Sequence, residues 1–169
     1  MRASIGKFCA IAVLGFIIVT TNGCSSPDEP IMSKAGDPVI AAATAEARRN
    51  LPIFWSKFND KTPGYSEFAL KVGFQAKGGG IEYLWLVPST REGVVISGTL
   101  ANDAEYVEGF KVGTKVEFGE AQIDDWQYGK DGKLYGHFTT RALMARASEA
   151  QRKEALAVFA PTPLEAGAN

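Results

Sequence analysis

From residue 37 onward, apolar positions follow two periods in turn. Val39, Ala43, Ala47, Leu51, Phe54, Trp55 and Phe58 recur at steps of three and four, the stripe of a helix packed on a core. Asp37-Pro38 opens that stripe as an N-cap followed by proline at the first helical position. Pro52 interrupts it, because an interior proline removes a backbone hydrogen bond, and the spacing predicts a kink or break near Asn50.

The period then falls to two. Phe68, Leu70, Val72 and Phe74 alternate with Glu67, Ala69, Lys71 and Gly73, which predicts a half-buried strand. Three glycines, Gly78 to Gly80, mark a turn into IEYLWLV, which is apolar on both faces and reads as a more central strand. VVISGTL, KVEFG, QIDDWQY and KLYGHFT follow, separated by turn residues. Strands in unbroken succession imply an α+β domain with an antiparallel, meandering sheet of about six strands, the N-terminal helix on one face and a short C-terminal helix. That last helix is announced by the capping-box pattern Ser148-Glu149-Ala150-Gln151, with Ala155, Leu156 and Phe159 on its inner face.

The ends of the chain define a compartment. Arg2 and Lys7 precede the uncharged run FCAIAVLGFIIV, the pattern of a secretory signal over residues 1–23 and too short for a membrane span of roughly 20 apolar residues. Gly23-Cys24 resembles the lipobox of bacterial lipoproteins, although Thr21 stands where leucine is usual. The expectation is a lipid on Cys24, a flexible tether over 24–36, a single domain over 37–160 and a disordered tail over 161–169, in a monomer facing the periplasm. Removing Arg2 and Lys7 from 18 basic residues leaves 16 against 19 acidic ones, so no nucleic-acid partner is expected. Cys9 leaves with the signal and lipid blocks Cys24, so no disulfide, thiol nucleophile or cysteine-based zinc site is expected.

Candidate chemistry is sparse. Asp124-Asp125 invites comparison with paired catalytic carboxylates, but neighbours on a strand point to opposite faces. The apolar parity also shifts between Ile123 and Trp126, as though a bulge lay at the aspartates, which suggests that they bind backbone N–H groups there. His137, the chain's only histidine, reads as a strand residue whose replacement by alanine would cost little. No G-x-S-x-G turn supports a serine triad, one histidine cannot supply a typical zinc site, and KGGGIEY lacks the phosphate-loop lysine. No cofactor is expected. Trp55, Tyr83, Trp85, Trp126 and Tyr128 could line a ligand groove or pack the core. Lys130-Asp131-Gly132 suits a three-residue hairpin loop, which would set Tyr128 opposite Leu134 and Trp126 opposite Gly136, with Asp125 facing His137.

Several of these residues fall into one pattern: Glu82-x-x-Trp85, Gly98 with Asn102, Gly113-x-x-Val116-x-Phe118, Ile123-x-Asp125-Trp126 and Gly132-x-x-x-Gly136-x-x-Thr139-x-Arg141. The pattern resembles the YegJ-like family of bacterial domains of unknown function, also called domain of unknown function 2314, over about residues 37–145. His137 departs from it, standing where a small residue is expected. The resemblance implies the fold and carries no activity with it. The expected function is a non-catalytic envelope module that binds a protein or small ligand through one sheet face, with Glu82, Trp85, Asp125, Trp126, Thr139 and Arg141 as the candidate residues. Glu82 is expected to pair with Arg141 or Lys71. The alternatives are a hydrolase using Asp125 or Glu82 as acid or base, and an immunity-type or structural envelope protein.

Overall fold

The computed structural model describes residues 36–167, so the signal, Cys24 and most of the tether lie outside the described residues. Two helices come first, α1 (Pro38–Arg49) and α2 (Leu51–Asn59). Asp37 caps α1 by accepting the Val39 N–H at 3.0 Å. Asn50 separates the two helices with φ −96° and ψ 4°, the break that Pro52 demands.

Six antiparallel strands follow: β1 (Tyr65–Gln75), β2 (Ile81–Glu92), β3 (Val95–Leu100), β4 (Lys115–Gly119), β5 (Ile123–Lys130) and β6 (Lys133–Gly136). Their order across the sheet is β4-β3-β2-β1-β5-β6. The first four meander, and the β5–β6 hairpin returns to the free edge of β1. Helix α3 (Phe138–Met144) and helix α4 (Glu149–Val158) complete the domain. The Ser148–Gln151 capping box closes the start of α4.

One sheet face is buried under α1 and α2. Ala47, Leu51, Phe54 and Trp55 meet Leu70, Val72, Leu84, Leu86, Ile123, Trp126 and Tyr128 there. Burying each such side chain stabilises the fold by roughly 1.5 to 3 kcal/mol. Trp126 is fully buried and its indole N–H donates to the Ala47 carbonyl at 2.8 Å. A larger residue than alanine at 47 would hold the helix away from that ring.

The opposite face is covered only over β5 and its neighbourhood. Strand β2 lies inside the sheet as expected, but its second apolar row is open: Ile81, Tyr83 and Val87 are 52%, 48% and 39% exposed. Both helices before the strands pack on the other side, so neither covers this row.

The hairpin register corrects the sequence reading. Gln127 pairs with Gly136 and Tyr128 with Tyr135, joined by a two-residue turn, Asp131-Gly132, with φ 51° and 70°. Aspartate tolerates the left-handed region, so both central residues of a type I′ turn are supplied and the loop needs no third residue. The chain then leaves β6 at Gly136. His137 is not a strand residue; its φ is 54°, and Phe138 begins α3. Two further expectations fail at the C-terminus. Leu156 is 69% exposed, leaving Ala155 and Phe159 as the buried contacts of α4. Residues 161–167, expected to be disordered, are tied down where Gly136 N–H donates to the Pro163 carbonyl at 2.8 Å and Glu165 meets Tyr65, Tyr128 and Lys130.

Candidate functional site

The bulge anticipated at the aspartates is present. Lys71 pairs with Asp125 and Val72 with Ile123, so Asp124 is the extra residue. Bulging removes the strict alternation on which opposite facing rests: Asp124 reaches Lys71 directly, and Asp125 is linked to the same lysine through Thr139. Lys71 Nζ lies 3.4 Å from Asp124 Oδ2 and donates to Thr139 Oγ1 at 3.0 Å, while Thr139 Oγ1 donates to Asp125 Oδ2 at 2.7 Å. Asp124 Oδ1 also accepts from Thr44 Oγ1 of α1 at 2.8 Å. The two carboxylates thus bind different partners, Asp124 holding Thr44 and Lys71 and Asp125 the start of α3, with Thr139 joining them.

Asp125 has no accessible surface. Its oxygens accept from the backbone N–H of Trp126 (2.8 Å), Phe138 (3.1 Å) and Thr139 (2.8 Å), besides the Thr139 hydroxyl. Helix α3 has no side-chain cap of its own, and Asp125 supplies one from β5. Burial pushes the Asp125 carboxyl up, against the hydrogen bonds from Thr139 and Trp126 and the Lys71 charge. An acid or base needs a free lone pair facing substrate, and these oxygens have none turned to solvent.

The other expected site residues also bind this protein's own chain. The Glu82 carboxylate accepts the N–H groups of Glu105 and Tyr106 at 2.7 and 2.8 Å, so its partner is the loop between β3 and β4, and neither Arg141 nor Lys71 is needed. Asn102 completes that anchor by accepting the Trp85 N–H at 2.9 Å. Arg141 donates to the carbonyls of Gly136 (2.8 Å), Ala160 (2.9 Å) and Leu134 (3.2 Å), which joins β6 to the segment after α4. Gly136, with φ 79°, has no room for a side chain: a Cβ there would lie 2.1 Å from the Trp126 carbonyl oxygen and 2.7 Å from its ring. Of the five aromatics, Trp55, Trp126 and Tyr128 are core, and Tyr83 and Trp85 belong to the open row of β2.

His137 sits beneath that row. Its ring lies 5.1 Å from Trp85 and stacks at 4.6 Å on Phe159, and neither ring nitrogen has a hydrogen-bond partner among the described residues. Burial, reinforced by the Arg141 and Lys71 charges, lowers its pKa to about 3, so the ring is neutral at ordinary pH. Above it, the Lys71 ammonium lies 5.3 Å from the centre of the Tyr83 ring. The outer surface is thus an apolar row backed by a lysine whose charge is already balanced by Asp124. A separate groove of about 490 Å³ runs beside the end of α2, lined by Phe58, Tyr65, Phe68 and Arg91 among others; neither Glu82 nor Asp125 lines it. Among the described residues, no group of histidine, cysteine, aspartate and glutamate could hold a metal ion, and no helix is long and apolar enough to cross a membrane.

Comparison with known proteins agrees with the resemblance read from the motifs. The model of a family described as an uncharacterized protein conserved in bacteria, domain of unknown function 2314, matches residues 37–159. The chain is also 25% identical over 135 residues to the uncharacterized protein YegJ of Escherichia coli (strain K12), covering 79% of this chain and 86% of that protein. No solved structure matches. The chain belongs to the domain of unknown function 2314 family.

Proposed function

For this member of an uncharacterised family we propose a non-catalytic binding module, held at the cell envelope by lipid on Cys24, whose outer sheet face receives a protein or small ligand. The observation that carries the reading is the open row on β2, where Ile81, Tyr83 and Val87 stand exposed in line with Trp85 on a strand in the middle of the sheet. Contiguous apolar surface on a rigid scaffold marks an interaction site more often than a chemical one. A hydrolase reading is disfavoured because Asp125 is spent on capping α3 and Glu82 on holding the 101–114 loop.

The test places a photo-crosslinking aromatic amino acid at position 83 in the full chain, expressed in its own bacterium, with position 156 as an exposed control on α4. The reading predicts a discrete adduct from position 83, none from 156, and loss of that adduct when Val87→Lys is added. Equal crosslinking at both positions, or none at 83, would refute it.

A further inference from the structure

Glu165 lies in the tail, beyond the residues that the family model matches, and its carboxylate is gripped from inside the domain. Tyr65 OH donates to its two oxygens at 2.7 and 3.0 Å, Tyr128 OH donates to Oε1 at 3.1 Å, and Lys130 forms an ion pair with Oε2. Burial alone would raise the Glu165 carboxyl, yet the bonds from Lys130, Tyr65 and Tyr128 hold it below its ordinary value.

The three receivers are set by the core and not by the tail. Tyr128 has no exposed surface and is stacked between Trp126 at 5.6 Å and Tyr135 at 5.4 Å, which aims its hydroxyl. Tyr65 packs edge-on to Tyr128 at 5.4 Å and is the cross-strand partner of Lys130. The Lys57 and Lys130 ammonium groups lie 4.8 and 5.0 Å from the centre of the Tyr65 ring. Two phenols that donate and a lysine that cannot accept form a preorganised receptor for an anion. The anion it holds is the Glu165 carboxylate, met at both oxygens.

Outside residues 163 to 165 the described tail, residues 161, 162, 166 and 167, is exposed, and Pro161 and Pro163 have no N–H to give. Beyond the carboxylate, the Pro163 carbonyl accepts the Gly136 N–H, and Leu164 packs at the margin of the core. These contacts define a recognition pattern: a backbone carbonyl, then an apolar residue, then an acidic one, in a short bent segment.

We propose that the Tyr65–Tyr128–Lys130 cradle is a binding site for an acidic peptide segment of a partner protein, and that Glu165 is its resident internal ligand, competing from the same chain. Local opening of the tail exposes the cradle, and a partner segment with the same pattern takes its place. This site is separate from the open row on β2 and stands or falls independently of it.

The probe is a fluorescently labelled synthetic peptide of residues 160–169, together with a copy carrying Glu165→Gln. Both are titrated by anisotropy against the full chain, wild type and Glu165→Gln. Removing the internal competitor should tighten binding of the acidic peptide by about ten-fold or more over wild type. The glutamine peptide should not bind, added salt should weaken the complex, and Tyr128→Phe combined with Lys130→Met should abolish it. Should the Glu165→Gln chain fail to fold, a protease site placed between Ala160 and Pro161, cut after folding, frees the tail from a domain already formed. The acidic peptide should then exchange with the released tail. Binding to the variant no tighter than to wild type, equal binding of the two peptides, or no exchange after cleavage would overturn the proposal.

Discussion

Replacing Asp125 with alanine is the sharpest perturbation of the fold. The variant leaves the N–H groups of Trp126, Phe138 and Thr139 and the Thr139 hydroxyl without their acceptor, in a place with no accessible surface. A buried donor left unsatisfied costs about 1 to 3 kcal/mol, so four would sum to roughly 4 to 12 kcal/mol if nothing relaxed. Two effects reduce that sum: water can enter the vacated space, and the desolvation of a buried carboxylate no longer has to be overcome. Breaking a buried charged network by removing one partner costs about 3 to 5 kcal/mol in comparable settings, and that is the expected loss. Against a typical domain stability of about 5 to 15 kcal/mol, the variant should be marginal. Asp125→Asn keeps the shape and one carbonyl oxygen but turns an amide N–H₂ toward donors, and should lose about half as much. The assay is urea unfolding followed by far-ultraviolet circular dichroism, with hydrogen exchange at the Phe138 and Thr139 amides. Those two amides should exchange faster in Asp125→Asn than in wild type, because the cap of α3 is weakened first. A loss below about 1 kcal/mol for Asp125→Ala, or unchanged exchange at both amides, would refute the reasoning.

Four further outcomes are expected. Gly136→Val should reduce soluble protein severely and lower Tm in whatever folds, since its Cβ meets the Trp126 carbonyl and a β-branched residue is strained at φ 79°; a variant as stable as wild type would show that the β6–α3 junction is described wrongly. His137 is charged when unfolded below its ordinary pKa of about 6.5 but stays neutral when folded until about 3, so folding stability should fall as pH drops through that window, by up to about 4 to 5 kcal/mol. His137→Phe should flatten that part of the pH profile measured by urea unfolding, and an unchanged slope would contradict the burial argument. The same burial overturns the expectation that His137→Ala costs little: truncating a ring packed between Trp85 and Phe159 should cost about 2 to 3 kcal/mol, read from the same unfolding curves. Finally, Cys24→Ser should release the protein from the membrane fraction almost completely, and protein that stayed membrane-bound would remove lipidation from the proposal.

What the sequence reveals and conceals divides along the range of the interactions. Asp37-Pro38, the break before Pro52 and the Ser148–Gln151 box are decided by residues within a few positions of one another, and each is visible in the chain. The bulge at Asp124 is visible too, because a parity change is a local record of an extra residue. Helix α3 is not, since its cap is Asp125, placed against it only after β5 and β6 have paired. The hairpin register fails by one position because Asp131 adopts a left-handed conformation that its side chain permits but does not announce. Glu82 and Glu165 were equally opaque, as the N–H groups and hydroxyls they bind are brought to them by the folded sheet. Of the motif residues singled out for function, Glu82, Asp125, Thr139 and Arg141 hold loops and ends together and Trp126 packs the core, while Trp85 lies in the open row on β2.

The reading of β2 as a binding face is tested most directly by its occupancy in the cell. Tyr83→Cys and Leu156→Cys are introduced separately, and the rate of maleimide labelling at each site is measured by peptide mapping in intact cells and in the purified protein. Both positions are exposed in the isolated chain, at 48% and 69%. An occupied face predicts labelling at position 83 slowed by about ten-fold or more in cells, with position 156 unchanged. Equal rates in cells and in purified protein at position 83 would contradict the account.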